Sequence, residues 1–232
     1  LGERDSFVGR KVLITAGPTQ EPIDPVRYVG NRSSGRMGYA IAQAAWRRGA
    51  EVSLVSGPSA LAAPWGVEFV PVATALEMRD AVASRLGDAD VSVYAAAVAD
   101  FRPVEPKDRK VKRTESGPEL SVELEANPDI ALETRRQRRA GSIAVGFALE
   151  TDDLLENAKL KLEGKGFQLL VANDATEEGA GFGVSTNRVT ILGADGSVDV
   201  LPLLSKDEVA EEILDRVEAL LDASVKDETP GG

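Results

Sequence analysis

The chain contains no cysteine and no histidine. The first absence removes disulfides, thiol nucleophiles and thiolate metal sites; the second removes the commonest general base and the commonest zinc ligand. Any chemistry must run on Lys, Arg, Asp, Glu, Asn, hydroxyls and backbone amides, with a hard cation such as Mg²⁺ held by oxygens. No run of eighteen apolar residues occurs, and the opening "LGERDSFVGR" lacks the basic-then-apolar layout of a signal peptide. A cytoplasmic protein is the expectation. Basic residues are outnumbered, 27 to 38, for a formal charge of −11. Such a field repels nucleic acid unless a local basic patch intervenes. No internal repeat or low-complexity tract is visible. The chain opens on Leu1 rather than Met, so something is expected upstream, whether a processed segment, a trimmed tag or another domain, and residues 1–10 read as a leader or linker from it.

What is present is 43% hydrophobic and long enough for a sizeable core. Short runs rich in Val, Ile and Leu predict strands at "KVLITA" (11–16), "EVSLVS" (51–56), "VEFVPV" (67–72), "DVSVYAA" (90–96), "SIAVGFA" (142–148) and "FQLLVAN" (167–173). Helical patterns lie between most of them, at 38–48, 75–86, 128–139 and 152–163. Strands alternating with helices predict an α/β fold, a doubly wound, mostly parallel Rossmann-like sheet with helices on both faces. The expected domain covers 11–222. Its exceptions are a proline-bearing basic insertion at about 101–127, too long for an ordinary connection, and a hairpin at 188–202 with Asp-Gly in its turn, followed by a helix over 206–221. Residues 223–232 read as a disordered tail.

Several motifs fall where strands end. "GNRSSGRMG" (30–38) joins a strand to an alanine-rich helix and suggests a phosphate cradle, although its spacing is neither the dinucleotide nor the P-loop fingerprint. A tight turn made only for packing explains an isolated loop of this kind equally well. "AAAVADFRP" (95–103) offers small residues and Asp100, which could equally be a turn aspartate. The run "RKVKR" (109–113) is either a solvated face or a lid that closes over a polyphosphate. "NPDI" (127–130) reads as a helix start with Asn127 as cap, Phe147 as core or a stacking platform, Lys161 and Lys165 as a solvated stripe, and "VAND" (171–174) as polar base or ribose contacts. Five of these lie along one ligand edge of the sheet.

In this order, "TAGPT", "DPVRYVGNRSSGRMG", "AAAVADFRP", "KVKR", "NPDI", "GFALET" and "VAND" resemble phosphopantothenoylcysteine synthetase, also called phosphopantothenate-cysteine ligase. In bacteria that enzyme is usually the carboxyl-terminal half of a bifunctional coenzyme A biosynthesis protein. The other half is a flavin-dependent decarboxylase, where any FMN would belong. The resemblance implies that the carboxylate of 4'-phosphopantothenate attacks the α-phosphate of CTP, that Mg²⁺ assists, and that L-cysteine then displaces CMP. It implies substrate contacts at Asn31, Ala96, Ala97 and Asp100, with Arg27 supplied by the neighbouring subunit of a homodimer. Gly17, Ser33, Gly35 and Gly38 would cradle the triphosphate. Ala96, Asp100, Pro128, Asp129, Ile130, Phe147, Lys161, Lys165 and Asn173 would complete the nucleotide site, with Asn31, Lys110 and Lys112 in catalytic roles. The family's basic motif usually ends in two lysines; here Arg113 stands last, keeping the charge without the point-like geometry.

Two other readings compete. A short-chain NAD(P)-dependent reductase needs Tyr and Lys four apart, but the three tyrosines are followed at that spacing by Arg32, Gln43 and Val98. A non-catalytic nucleotide-binding module would bind nucleotide without releasing pyrophosphate.

Overall fold

The apolar runs of the sequence assemble into one sheet. The computed structural model describes residues 5–117, 119–150, 154–174 and 186–227. In chain order the main elements are β1 (Lys11–Ala16), α1 (Arg36–Arg47), β2 (Glu51–Ser56), β3 (Glu68–Pro71), α2 (Ala75–Leu86), β4 (Val91–Tyr94), β5 (Ile143–Glu150), α3 (Leu154–Lys165), β6 (Leu169–Asp174), β7 (Val189–Gly193), β8 (Val198–Val200) and α4 (Lys206–Asp227). Across the eight-stranded sheet the order is β8-β7-β6-β5-β4-β1-β2-β3. Strands β1 to β6 are mutually parallel, while β7 and β8 add antiparallel at the far edge. The parallel part is the doubly wound order 3-2-1-4-5-6, which reverses between β1 and β4. In such sheets the crevice at the reversal is where ligands bind.

Side-chain alternation distributes the core to both faces. Val12, Ile14 and Ala16 pack with Ile41 of α1 and Ile213 and Leu214 of α4, whereas Leu13 packs with Met78 and Val82 of α2. Helix α1 lies unusually close to β1, since a Cβ on Gly38 would come 2.5 Å from the Cβ of Ala16. At the far end of α1, Arg48 is 2% exposed and pairs with Glu211, Asp215 and Glu218, which share one face of α4. Burial disfavours its charge, but the hydrogen bonds and charges of Glu211 and Asp215 outweigh that and raise its pKa.

Four expectations change. Phe7, inside the stretch read as a leader, is fully buried, and its amide donates to the Arg48 carbonyl at 2.9 Å. The last helix continues to Asp227, so the residues from 223 to 227 are helical rather than a tail; 228–232 lie outside the described residues. The helix expected over 128–139 is reduced to one turn, Ile130–Glu133, and a short 3₁₀ turn, Arg135–Gln137. There the Thr134 hydroxyl donates back to the Ile130 carbonyl at 2.6 Å, and Arg138 leaves the helical path to donate to the carbonyls of Lys165 and Gly166. Finally, Asn127 does not cap that turn; Asp129 does, accepting from the Leu132 amide at 3.1 Å. The insertion forms a hairpin of Phe101–Pro103 with Leu124–Ala126, beside a second hairpin of Gln20–Pro22 with Tyr28–Gly30.

Candidate active site

A cleft of about 560 Å³ opens at the strand-order reversal, bordered by the carboxyl ends of β1, β4, β5 and β6. The loop Ala95–Asp100 is stitched to the chain that follows β1. The Ala97 amide donates to the Gly17 carbonyl and the Ala99 amide to the Thr19 hydroxyl, both at 2.9 Å. Asn31 is fixed against this loop by Nδ2, which donates to the Val98 carbonyl at 2.9 Å.

The start of α1 forms one wall. Gly35 caps it at φ 78°, no side chain caps the first turn, and no acidic residue stands there. Those amides present partial positive charge to the cleft, as an anion site requires. The facing wall carries Asp129, whose carboxylate also pairs with Lys165 at 2.9 Å. Lys161, one helical turn before Lys165, lines the same side. At the end of β6, Asn173 Nδ2 donates to Asn187 Oδ1 at 2.8 Å. Asn173 Oδ1 is buried without a hydrogen-bond partner among the described residues. An acceptor left so costs about 1–3 kcal/mol, which a donor on a bound ligand would recover.

Most of the residues singled out in the sequence meet in this cleft. Asn31, Ser33, Gly35, Ala96, Ala97 and Asp100 line the α1 and β4 side. Pro128, Asp129, Ile130, Phe147, Lys161, Lys165 and Asn173 line the rest. Gly17 and Gly38 stand behind the cradle and shape it. Gly17 has φ 73°, and a Cβ there would meet the Gly57 carbonyl oxygen at 2.8 Å.

Arg27, Lys110 and Lys112 are not brought into the cleft. Arg27 Nη2 donates to the Val111 carbonyl at 2.8 Å and pairs with Asp24 at 3.6 Å. The buried Asp24 carboxylate also accepts from the amides of Val26, Arg27 and Val111, so the basic loop is pinned to the hairpin that carries Arg27. Burial works to raise the Asp24 pKa, but the three amides and the Arg27 charge together lower it. Lys110 is exposed beside this anchor.

Thr15, Met37, Tyr94, Asn187 and Lys206 also line the cleft and were not singled out, and Asn127, read only as a helix cap, lines it too. Asn127 Nδ2 donates to the Ala99 carbonyl at 2.8 Å and holds the β4 loop. The start of α4 was foreshadowed by Ser205 and Glu208, a capping-box spacing, although nothing local marks Lys206 as facing a ligand. Among the described residues no group of three or more acidic side chains is arranged to hold a metal, and no helix is long and apolar enough to cross a membrane.

Sheet order and cleft together define a Rossmann-like α/β domain with an open cleft at its switch point. Residues 7–221 match the family described as the DNA/pantothenate metabolism flavoprotein C-terminal domain, and the chain belongs to that family. It is 47% identical over 213 residues to the coenzyme A biosynthesis bifunctional protein CoaBC of Bacillus subtilis, covering 91% of this chain and 52% of that one. It is 45% identical over 212 residues to the CoaBC of Vibrio vulnificus, covering 91% and 53%. The chain thus spans about half the length of these curated relatives. Its fold is similar to a crystal structure of the C-terminal domain of CoaBC, with a TM-score of 0.80 and 42% identity, over 94% of this chain and 99% of that one.

Proposed function

We propose that this chain is a phosphopantothenate-cysteine ligase of coenzyme A biosynthesis, joining 4'-phosphopantothenate to L-cysteine at the expense of CTP. The observation that carries this reading is the cleft itself. It sets the α1 amides, Phe147, Asn173 and the lysines of α3 around a volume suited to a nucleotide, beside Asn31, Ala96, Ala97 and Asp100.

In the first step a carboxylate oxygen of 4'-phosphopantothenate bonds to the α-phosphorus, the bond to the bridging oxygen breaks, and pyrophosphate leaves. In the second, the cysteine amine adds to the acyl carbon and the acyl C–O bond breaks. CMP departs with the attacking oxygen, and the surplus amine proton passes to solvent. Both steps depend on alignment and on neutralising phosphate charge, which a chain without histidine can supply. Asn31 orients the carboxylate and the acyl-phosphate oxygen, with Asp100 in the same pocket. The α1 amides and Ser33 hold phosphate oxygens, Phe147 and Asn173 the base. Asp100 is the cleft carboxylate that would help hold a Mg²⁺ carried on the triphosphate, and the ion would there neutralise phosphate charge, since Mg²⁺ commonly combines one or two carboxylates with substrate phosphates.

The working form in this reading is a homodimer with shared sites. Val26, Tyr28, Phe101 and Leu124 expose apolar surface on the two adjoining hairpins, next to Arg27. A second copy seated there would receive Arg27, and loop movement would bring Lys110 and Lys112 over the phosphates. The proposed setting is the cytoplasm, within a longer protein whose fused decarboxylase domain would carry FMN.

The test is pyrophosphate release from CTP, with ATP in parallel, in the presence of Mg²⁺ and 4'-phosphopantothenate, with and without cysteine, with products identified by mass spectrometry. Sustained CTP-dependent release yielding the cysteine amide is expected. Nucleotide binding without turnover would favour a non-catalytic binding module instead.

A further inference from the structure

We propose that Arg138 is a positioning residue for the nucleotide, holding Lys165 in place from behind the cleft; this rests on the nucleotide-binding reading of the cleft. Arg138 does not itself line the cleft, yet its guanidinium touches four residues that do: Tyr94, Ala131, Lys165 and Phe167.

The break in the 128–139 helix is what delivers it. At Arg138 the chain turns extended, with φ −62° and ψ 136°. The guanidinium carbon then lies 5.3 Å from the ring centre of Tyr94 and 5.2 Å from that of Phe167, within cation–π range of both. Nη1 donates to the carbonyls of Lys165 at 3.0 Å and Gly166 at 2.9 Å, and Nη2 to the carbonyl of Ala131 at 3.1 Å. Carbonyls at the end of a helix lack partners within it and carry the negative end of its dipole, so a cation is favoured there. The planar fork of arginine serves acceptors on two segments at once, which the single ammonium of lysine does less well.

One guanidinium therefore joins the end of α3 to the turn Ile130–Glu133. The same two segments are joined again on the cleft side, where Lys165 pairs with Asp129 at 2.9 Å. A ligand treats these two links differently. Phosphate oxygens compete with the Asp129 carboxylate for the Lys165 ammonium, because both are charged acceptors. A lysine shared with phosphate holds the turn less firmly. The Arg138 link runs to backbone carbonyls from outside the cleft lining, so it persists while Lys165 changes partner. It fixes the backbone from which Lys165 reaches the ligand.

The experiment is a double-mutant cycle read by equilibrium binding of CTP, with ATP in parallel and Mg²⁺ throughout, to the wild type, Arg138→Met, Lys165→Met and the double variant. Arg138→Met should weaken CTP binding about tenfold in the wild-type background and less than about threefold in the Lys165→Met background, since a residue that acts through another loses its effect when that other is gone. Arg138→Lys, which keeps a cation beside the two rings, should show the same pattern with a smaller loss, and it carries the cycle if the methionine protein does not fold. Equal weakening in both backgrounds would make Arg138 a general structural support and overturn the assignment. So would a Lys165→Met protein that binds CTP as the wild type does. If the wild type bound neither nucleotide, the nucleotide reading itself would fall, and this role with it. A wild type that binds CTP and an Arg138→Met protein that binds it equally well would remove Arg138 alone.

Discussion

Asn173, next to last in β6, has one half of its amide engaged and the other waiting. Its Nδ2 is committed to Asn187, so the buried Oδ1 can only accept. Cytosine and adenine both carry an exocyclic amine that donates, whereas uracil presents a carbonyl at the corresponding place. Replacing Asn173 with Ala should therefore raise the KM for the nucleotide by about tenfold, the scale of one buried hydrogen bond, with a smaller change in kcat. Steady-state rates with CTP and UTP would check this, because discrimination against UTP should shrink in the variant. An unchanged CTP to UTP ratio would take Asn173 out of base recognition. The same acceptor does not separate CTP from ATP, so that choice belongs to the pocket's shape rather than to this contact.

Element by element, the site depends on how closely α1 sits on β1 and on how the basic loop is tethered. Gly38→Ala would drive a methyl into Ala16 and toward the Thr15 carbonyl, and overpacking of this kind costs about 1–3 kcal/mol. Urea unfolding should show that loss, and nucleotide affinity should fall with it as the α1 amides shift; a variant as stable as the wild type would show that the approach is not tight. The tether is Asp24. Its folded-state pKa lies below the ordinary carboxylate value, so its contribution is fully present above that value and is lost only as pH falls through the lower, folded pKa. Amide-exchange protection at Val26, Arg27 and Val111 should accordingly persist below pH 3.8 and collapse together on further acidification. Collapse at a higher pH would mean the carboxylate is not held by those amides. These two elements also mark what the sequence could reveal. The parallel strands and α2 were legible because apolar runs and a helical pattern are local signals, and the structure adds a Thr74–Glu77 capping box at the start of α2. The break of the 128–139 helix was not, because Thr134 and Arg138 find their partners through tertiary packing. Most of the cleft could be read from strand ends, since ligands collect there in any parallel sheet. Lys206 could not, because its approach depends on a hairpin that pairs distant segments.

At the scale of the molecule, a chain of formal charge −11 gathers Lys161, Lys165 and Lys206 around one cleft, where they oppose the field that repels polyanions in general. Arg27 is tied outside its own cleft, which fits a residue delivered to a neighbour. If sites are shared, mixing inactive Arg27→Ala and Asn31→Ala chains should recover up to about a quarter of wild-type activity, the share of sites left intact by random pairing of isologous dimers. No recovery, with dimers confirmed by sedimentation, would confine each site to one chain. The central claim is that the substrate carboxylate attacks the α-phosphate, and isotope transfer tests it most directly. With 4'-phosphopantothenate labelled by ¹⁸O in its carboxylate, turnover with CTP and cysteine should place one ¹⁸O in each CMP and none in pyrophosphate. Label found in inorganic phosphate or pyrophosphate, with CMP unlabelled, would contradict an acyl-nucleotide intermediate and the account built on this cleft.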